Sequence, residues 1–255
     1  VDYDFLVLAA GTTNDYFGHD EWAEHAVGLK TVDEALAMRR RFLLAFEEAE
    51  VESDPERRRR LLTFVIIGGG PTGVELAGAM SEIARTVIDD EFHRIDPRDA
   101  RVILVEGGER LLTSMPPPLS DRARRDLESL GVEVRLGRFA AAVDPDGVTT
   151  RRAGADEGDP EAEERIDAAT VFWAAGQKAV RVAGTLGDDV TRDRAGRIEV
   201  AADLSLPGRP EVFAVGDIAS ATDAATGGPV PGVAQGAIQG GRHAGRLIAE
   251  EIRAG

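Results

Sequence analysis

The hydrophobic positions of this chain fall in short, nearly continuous runs that are separated by longer polar or mixed segments. The strongest run, residues 61–67, is rich in β-branched residues and ends directly at a cluster of glycines. A continuous apolar run, as opposed to strict alternation, is typical of a strand buried in a parallel sheet. Similar runs predict further strands at residues 5–9, 101–106, 132–136, 169–175 and 212–217.

Helical spacing fills several of the segments between these runs. Thr31 and Glu34 fit the capping box that opens a helix, and apolar residues continue from there at helical intervals to Phe46. Residues 47–60 are densely charged and predict a solvated helix end and a linker, with a break at Pro55. Further helices are predicted at residues 74–92, from an N-cap at Ser120 to a stop at Gly131, and at residues 235–252.

Turn-forming residues predict the remaining connections. Residues 12–30 are polar and contain glycine, which predicts a loop. Turn residues at 144–147 and an acidic stretch at 154–164 predict two hairpin-like segments. Because strands alternate with helices elsewhere, the chain is expected to adopt an α/β fold with a mostly parallel sheet and crossover helices.

The order of the segments predicts two domains. A Rossmann-like nucleotide-binding domain is expected at residues 61–178, inserted between two pieces of a second domain at residues 1–60 and 179–255. The chain opens without methionine, inside a strand-like run, so we expect it to be a piece of a longer protein.

Composition narrows the classes of function. The chain has 255 residues, with 30 basic and 46 acidic side chains and a formal net charge of −16. No nucleic acid partner is expected, because phosphate binding requires a basic surface. The absence of cysteine excludes disulfides, thiolate metal sites and a cysteine nucleophile within these residues. We expect no membrane-spanning helix, no signal peptide and no metal site. The four histidines are expected to be structural or solvated: His19, His25, His93 and His243.

A glycine-rich turn carries the clearest chemistry. Gly68, Gly70 and Gly73 fit G-x-G-x-x-G, directly after the strongest predicted strand and before a predicted helix. In this motif the first glycine permits a tight turn, the second lets the backbone approach a pyrophosphate, and the third lets helix and strand pack closely. The positive end of the helix then faces the phosphates. The complete predicted set is Gly68, Gly69, Gly70, Pro71, Thr72 and Gly73.

A carboxylate closes the next predicted strand at Glu106, where it can accept hydrogen bonds from the adenosine ribose. It would repel a 2′-phosphate, which predicts a preference for NADH over NADPH. Glu106 lies 33 residues after Gly73, against about 20 in the usual pattern, and a longer crossover helix accounts for the difference. Arg110 is the nearest opposing charge, with Glu109 beside it.

The flanking pieces carry a second set of motifs. The run at residues 212–217 ends in Gly216 and Asp217, where a ligand can approach closely and a carboxylate can bind a polyol hydroxyl. Together with residues 3–11 and the glycine-rich turn, this order resembles the two-dinucleotide flavoprotein reductases. The residues from Ala234 to Gln239 resemble the A-Q-x-A-x-Q motif of type II NADH dehydrogenases, the single-subunit NADH:quinone oxidoreductases. Gln235 and Gln239 share one helix face.

The resemblance implies an FAD-dependent enzyme that passes a hydride from NADH to FAD and two electrons to a membrane quinone, either menaquinone or ubiquinone. It implies a Rossmann-like NADH-binding domain, completed by Gly176, inserted in a partial FAD-binding domain. Gln235 and Gln239 would lie where flavin meets quinone. Glu75, expected in the first helical turn, either stabilises the helix dipole or lies near the nicotinamide. The implied FAD residues are Ala10, Gly11, Gly216, Asp217, Ala234 and Gln235.

The resemblance also implies a location. The complete protein is expected to lie peripherally on the cytoplasmic face of the cell membrane as a non-proton-pumping respiratory dehydrogenase, and the resemblance allows a homodimer. This chain by itself is expected to be soluble and cytoplasmic. It lacks the family's N-terminal FAD motif and C-terminal docking region, and Ala10 stands where the family has threonine, so half of the FAD site is expected.

Two alternatives stay open at the level of sequence. One is another flavoprotein reductase of the same fold. The absence of cysteine argues against a sulfide:quinone reductase, the glutamine motif argues against a disulfide reductase, and a ferredoxin-type reductase stays open as a weaker option. The other is a non-catalytic NADH-binding module.

Overall fold

The computed structural model describes residues 2–88, 91–156, 159 and 161–254. The chain forms two compact units. The central unit is Asn14–Gly176, and the flanking unit combines Val1–Thr13 with Gln177–Gly255. The two ends of the central unit meet, because the amide of Asp15 donates to the carbonyl of Gly176 at 3.2 Å. Residues 14–60 therefore fold with the central unit, and the assignment of domains to cofactors stays a prediction.

The secondary structure comprises short strands and five α-helices. The strands are β1 (Leu6–Leu8), β2 (Thr12–Asn14), β3 (Ala26–Gly28), β4 (Thr63–Ile67), β5 (Arg101–Val105), β6 (Glu133–Arg135), β7 (Arg138–Asp144), β8 (Gly147–Arg152), β9 (Glu163–Asp167), β10 (Thr170–Trp173), β11 (Gln177–Ala179), β12 (Ile198–Glu199), β13 (Ser205–Leu206), β14 (Arg209–Ala214) and β15 (Ala219–Ser220). The α-helices are α1 (Val32–Val51), α2 (Pro55–Leu61), α3 (Pro71–Glu82), α4 (Pro117–Ser129) and α5 (Ala234–Ala254).

A five-stranded parallel sheet forms the centre of the central unit, in the order β3-β10-β4-β5-β6. This confirms the predicted α/β fold with a parallel sheet. All five residues of β4 are buried, as the continuous apolar run predicted. The sheet grows in both directions from β4, with β10 on one side and β5 on the other. Such a reversal leaves a crevice beyond the carboxyl ends of the strands, where ligands bind in open α/β sheets.

The two faces of this sheet are covered differently. On one face Phe42 and Phe46 of α1 pack against Phe64, with ring centroids 4.8–5.5 Å apart. The other face is covered by the antiparallel strands β7, β8 and β9, a meander in which Val148 is fully buried. The two predicted hairpins are therefore confirmed.

The start of α1 also follows its prediction. The Thr31 hydroxyl accepts the amide of Glu34, and the Glu34 carboxylate accepts the amides of Lys30 and Thr31. The same carboxylate accepts the side-chain amide of Asn14 at 2.7 Å. The capping box thus joins the first residue of the central unit to the helix that covers its sheet.

Two predicted segments in the first third of the chain were wrong. Residues 12–30 are not only loop: they contain β2, a 3₁₀ helix at Asp20–Glu24 and the buried strand β3. A strand of three residues is too short to show periodicity, and β3 is held by its parallel pairing with β10. The charged segment is also not a linker, because α1 continues to Val51 and Pro55 begins α2, where its missing N–H costs nothing.

Two later helices also begin or end elsewhere. The helix after the glycines begins at Pro71 and becomes a π-helical turn at Ile83–Val87, so the predicted end at Phe92 was wrong; residues 89–90 lie outside the described chain. Ser120 is not an N-cap: it lies inside α4, where its hydroxyl donates to the carbonyl of Leu111. The predicted stop near Gly131 is confirmed.

The flanking unit contains a three-stranded sheet in the order β1-β14-β13. The strands β1 and β14 and the helix α5 were predicted, and the structure adds the parallel pairing of β1 with β14. Burial of β1 was not correct, because β1 lies at the edge of this sheet and Val7 is 43% exposed. Among the described helices, none combines the length and apolarity needed to cross a membrane.

Thr31→Ala is expected to lower the free energy of unfolding of the central unit by about 1 kcal/mol, because the amide of Glu34 loses its side-chain acceptor. Urea denaturation followed by tryptophan fluorescence measures this change, since Trp22 and Trp173, the only tryptophans, lie in this unit. Thr31→Ser retains the hydroxyl and should match the wild type within a few tenths of a kcal/mol. Equal losses in both variants would contradict the capping role.

Candidate functional site

The carboxyl ends of β4, β5 and β10 open into a cleft of about 910 Å³ within the central unit. This volume lies in the range of cofactor pockets, which is roughly 300–1,000 Å³. Of the residues predicted to bind a dinucleotide, the cleft brings together Gly68, Gly70, Glu106 and Gly176. Gly69 and Gly73 belong to the same glycine-rich segment but do not line the cleft.

Two glycines of the turn admit no side chain. Gly68 has a φ of +112°, and a Cβ placed on it would lie 2.5 Å from the backbone nitrogen of Ala175. A Cβ on Gly73 would lie 1.8 Å from the carbonyl oxygen of Gly68. The helix α3 therefore starts in direct contact with the end of β4, and its axis points towards the cleft.

The N-terminus of α3 is open to the cleft. Gly70 is its N-cap, where an added Cβ would meet no atom within 4 Å, and Pro71 is the first helical residue. No side chain of the described residues caps this end. The first amides of a helix have no intrahelical partner, and their dipoles favour an anion. The turn can therefore hold a pyrophosphate.

The carboxylate of Glu106 is held by two backbone amides. Its Oε2 accepts the amide of Gly69 at 2.6 Å, and its Oε1 accepts the amide of Gly108 at 2.7 Å. These bonds fix the half-buried carboxylate at the rim of the cleft, next to the glycine turn. Each carboxylate oxygen has a further lone pair with which to accept a hydroxyl hydrogen.

The nearest positive charge in the sequence, the guanidinium of Arg110, binds backbone carbonyls. Arg110 donates through Nη1 to the carbonyl of Met115 at 2.9 Å and through Nη2 to the carbonyl of Thr113 at 2.8 Å. Its guanidinium thus stabilises the loop that precedes α4. Among the described residues, Arg110 forms neither a hydrogen bond nor an ion pair with Glu106, so direct contact does not neutralise the carboxylate.

The end of the cleft beside β10 is aromatic, and sequence analysis missed it. Trp173 donates through its indole N–H to the carbonyl of Asp15 at 3.0 Å and contacts the rings of Phe17 and Trp22. Phe17 has a φ of +54°, which is strained for an aromatic residue, and it is 63% exposed at the cleft. The segment that carries Phe17 and Trp22 was predicted as loop, and its composition carried no motif.

One histidine belongs to this wall. His19 stacks on Trp22, with ring centroids 4.2 Å apart, and lines the cleft. It was expected to be structural or solvated, and the side chain is half exposed, but its position at a ligand-sized cleft was not predicted. Burial raises the pKa of the neighbouring Tyr16 phenol, and the negative charges of Glu34 and Asp20 add to the effect. The Tyr16 hydroxyl therefore stays neutral and donates to the carbonyl of Ala26 at 2.9 Å.

Glu75 lies elsewhere than expected. It occupies the second turn of α3, not the first, because the helix begins at Pro71. Its side chain is exposed and, among the described residues, is not part of the cleft wall. Thr72, in contrast, is in the first turn and half-buried.

The flanking unit has a smaller cavity of about 360 Å³. Gly216, Asp217 and Gln239 line it, and so does His243, whose Nδ1 lies 3.0 Å from Nη2 of Arg246. Gln239 and His243 are one turn apart on α5, so a histidine expected to be merely structural or solvated faces the same cavity as the predicted glutamine.

Other predicted residues of the flanking unit lie nearby. Ala10 and Gly11 follow β1, and Gly216 follows the parallel strand β14, so both stretches lie at the same edge of the sheet. Ala234 and Gln235 form the exposed first turn of α5. Of the two glutamines, only Gln239 lines the cavity among the described residues. No group of three or more potential metal ligands occurs in the described part of the chain.

Comparisons with known proteins agree with this architecture. A family model described as pyridine nucleotide-disulphide oxidoreductase matches residues 1–241. The chain is 44% identical over 252 residues to the type II NADH:quinone oxidoreductase Ndh of Mycobacterium tuberculosis, and 44% identical over 254 residues to NdhA of the same organism. Both alignments cover 98% of this chain and 52% of the relative. The chain thus spans about half the length of these curated relatives.

Solved structures show the same fold. NDH2 from Plasmodium falciparum in complex with NADH matches with a TM-score of 0.75 and 20% identity, over 86% of this chain and 44% of that one. Putidaredoxin reductase in its covalent complex with putidaredoxin matches with a TM-score of 0.67 and 20% identity, over 97% and 52%. At this identity the likeness concerns the fold alone.

Gly70→Ala is expected to fold with unchanged stability, because a Cβ there meets no atom within 4 Å and the φ of −74° suits alanine. The methyl group would nevertheless occupy the space a pyrophosphate needs, so the Kd for NADH should rise at least about tenfold, or 1.4 kcal/mol. Energy transfer from tryptophan to NADH measures the Kd, since Trp22 and Trp173 both line the cleft.

Gly78→Ala is the matched control for Gly70→Ala. Gly78 lies in the same helix, and the nearest atom to its added Cβ, in Leu127, is 3.6 Å away. This variant should bind NADH as the wild type does and gain stability from its higher helix propensity. An unchanged Kd for NADH in Gly70→Ala would contradict the prediction that the pyrophosphate binds at this turn.

Glu106→Ala is expected to reduce the preference for NADH over NADPH about tenfold or more, because it removes the negative charge facing a 2′-phosphate. The ratio of the two dissociation constants is the measurement. Glu109→Ala changes the net charge equally, at an exposed neighbouring position, and should leave the ratio unchanged. If both variants shifted the ratio alike, a general charge effect would replace the specific role of Glu106.

Proposed function

Because this chain belongs to the pyridine nucleotide-disulphide oxidoreductase family, we propose that it carries the NADH-binding domain and part of the flavin site of an FAD-dependent NADH:quinone oxidoreductase. The two relatives from Mycobacterium tuberculosis, at 44% identity, are named type II NADH:quinone oxidoreductases. The observation that carries the proposal is the cleft of the central unit, in which an uncapped helix N-terminus and an oriented carboxylate lie side by side.

In this proposal the central cleft binds NADH. The pyrophosphate lies over residues 68–73, and the adenosine ribose donates its hydroxyls to Glu106. The strand order supports this orientation of NADH, with the adenosine at β5 and the nicotinamide at β10, because these two strands lie on opposite sides of β4. The nicotinamide half then extends over the end of β10 towards Gly176 and Trp173. Glu75 remains a proposed neighbour of the nicotinamide, although its exposure in the second turn of α3 gives it no support from the cleft.

The flanking unit fits part of an FAD site. A Cβ added to Gly216 would lie 3.3 Å from the Cβ of Ala237, so the glycine permits the close approach of α5 to the end of β14. Asp217 places a carboxylate close to Gly232, which has no side chain. We assign Asp217 to a flavin ribityl hydroxyl, and the backbone at Ala10 and Gly11 to the same cofactor. Ala234 and Gln235 present the first turn of α5. When bound, FAD supplies the centre that accepts a hydride from NADH and passes two electrons to a quinone.

The two glutamines of α5 are proposed to bind the quinone headgroup. Gln235 and Gln239 are one turn apart, so both amides can reach a single ligand along the helix. An amide N–H₂ donates to a quinone carbonyl oxygen and so holds the ring in place. The quinone class, menaquinone or ubiquinone, is left to experiment.

The proposal extends to location. Quinones of respiratory chains are dissolved in the membrane, so the gene product that contains this chain is proposed to act as a peripheral protein at the cytoplasmic face of the cell membrane. A homodimer stays a prediction, and so does the solubility of this chain by itself.

The test uses the gene product that contains this chain, purified and examined without oxygen. A yellow flavin spectrum should bleach on addition of NADH and return on addition of menadione or a short-chain ubiquinone. Bleaching without recovery would overturn the quinone assignment and favour another flavoprotein reductase of this fold. A colourless protein that binds NADH would favour a non-catalytic NADH-binding module.

Gln235→Ala and Gln239→Ala are expected to slow reoxidation by quinone about tenfold, the effect of losing one hydrogen bond of about 1.4 kcal/mol. Flavin reduction by NADH should change less than about twofold. Stopped-flow absorbance separates the two half-reactions. Glu250→Ala, exposed on the same helix about three turns further on, is the control and should alter neither. Equal losses in both half-reactions would exclude the headgroup role.

A further inference from the structure

A row of three side chains crosses the meander where it borders the central cleft. Phe139 of β7 pairs with Arg151 of β8, and Arg151 pairs with Glu163 of β9. All three residues line the cleft. Because neighbours in register on antiparallel strands project to the same side, the row forms one continuous surface facing the ligand space.

Arg151 is the unusual member of this row. Its guanidinium carbon lies 5.1 Å from the centroid of the Phe139 ring, within cation–π distance. Its Nε is buried, and no hydrogen-bond partner for it exists in the described structure. A buried polar group without a partner is rare in folded proteins, which sets this arginine apart.

Other arginines of the same region are fully engaged. Arg138 also lines the cleft, but it donates through Nε to the Thr150 hydroxyl at 3.0 Å and through Nη2 to the Ala162 carbonyl at 3.1 Å. Arg165 forms two hydrogen bonds of 2.7 Å with Asp144. In contrast, the guanidinium of Arg151 forms neither a hydrogen bond nor an ion pair with the described residues. Its Nη1 and Nη2 groups are not among the buried atoms without a partner, so these terminal donors are the ones available to a ligand.

The row lies on the adenosine side of the cleft. The amide of Arg138 donates to the carbonyl of Glu106 at 3.0 Å, and the Cβ of Phe139 lies 3.7 Å from the Cβ position of Gly107. The row therefore begins immediately beyond the proposed ribose ligand.

We propose that Arg151, which lies over the ring of Phe139, binds the adenine base of the dinucleotide. A guanidinium is planar and weakly hydrated, so it stacks on aromatic rings and donates to acceptors at their edges. Adenine offers both a π-face and ring nitrogen acceptors. The ring of Phe139 fixes the orientation of the guanidinium, and the ligand supplies the acceptors that the protein does not. This inference rests on the proposed function, because it requires a dinucleotide in the cleft.

A phosphate is the competing ligand for this cation. If Arg151 bound a 2′-phosphate instead, it would increase the affinity for NADPH and leave the affinity for NADH unchanged. The carboxylate of Glu106 beside it opposes a phosphate there. The same experiment therefore compares NADH, NADPH and ADP-ribose, which retains the adenosine and lacks the nicotinamide.

The experiment measures dissociation constants for the 255-residue chain. NADH is followed by energy transfer from tryptophan, and ADP-ribose and NADPH are measured by competition. Arg151→Ala should raise the Kd for NADH and for ADP-ribose about tenfold and equally. Arg151→Lys keeps the charge but loses the plane, so it should recover only a minor part of the affinity. Phe139→Leu should reproduce a smaller loss in the same two ligands.

Arg152→Ala is the matched control. Arg152 follows Arg151 on β8, is exposed, and projects to the opposite side of the strand, so it changes the net charge equally without touching the cleft. It should bind all three ligands as the wild type does. Urea denaturation of each variant establishes that the affinities compare folded proteins.

Several results would overturn the inference. ADP-ribose affinity within twofold of the wild type in Arg151→Ala would exclude the adenine, as would full recovery in Arg151→Lys. A loss confined to NADPH would assign Arg151 to a phosphate. Failure of the wild-type chain to bind either NADH or ADP-ribose would instead overturn the proposed function, so the two failures are distinct.

Discussion

The carboxylate of Glu106 is the link on which the geometry of the cleft depends. It accepts one amide from the turn after β4 and one from the turn after β5. Hydrogen bonds to a charged group are each worth about 1.5–3 kcal/mol, more than those between neutral groups. The amide of Leu112, in the loop after β5, also donates to the carbonyl of Gly69 at 2.8 Å, so the carboxylate and this backbone bond together join the two turns. The group that orders the cleft is thus also the proposed ligand of the ribose, so one side chain would serve both structure and recognition.

The two ends of the cleft differ in chemistry, and a dinucleotide differs in the same way between its ends. The β5 end has a carboxylate and an unpaired guanidinium, whereas the β10 end has the rings of Phe17, Trp22 and Trp173. The glycine turn lies between them. One end of the cleft is charged and forms hydrogen bonds, and the other end is apolar and aromatic. A ligand with two different ends can therefore bind in one orientation only. In a chain with a net charge of −16, Arg151, which has no partner among the described residues, also supplies local positive charge at the cleft.

Sequence patterns predicted the parts of the fold that follow from local physics. The buried strand β4, the capping box at Thr31 and the steric demands at Gly68 and Gly73 each depend on neighbouring residues, so they are visible in order along the chain. The strand β3 and the aromatic wall were missed because they are held by pairing with β10, more than 140 residues away. Arg151 gave no signal either, since an arginine is recognisable as unpaired only once its neighbours are known. The roles of the predicted site residues stay predictions.

The ends of the central unit are joined by the hydrogen bond between Asp15 and Gly176. A unit whose termini are adjacent can be inserted into another domain without changing the path of its host, because the host chain is interrupted at a single place. The codons for residues 14–176 therefore form one exchangeable cassette within the gene. Recombination at its two borders would replace the central cleft while leaving the sheet of β1, β14 and β13 intact, so that the residues of the cleft can diverge separately from the rest of the molecule.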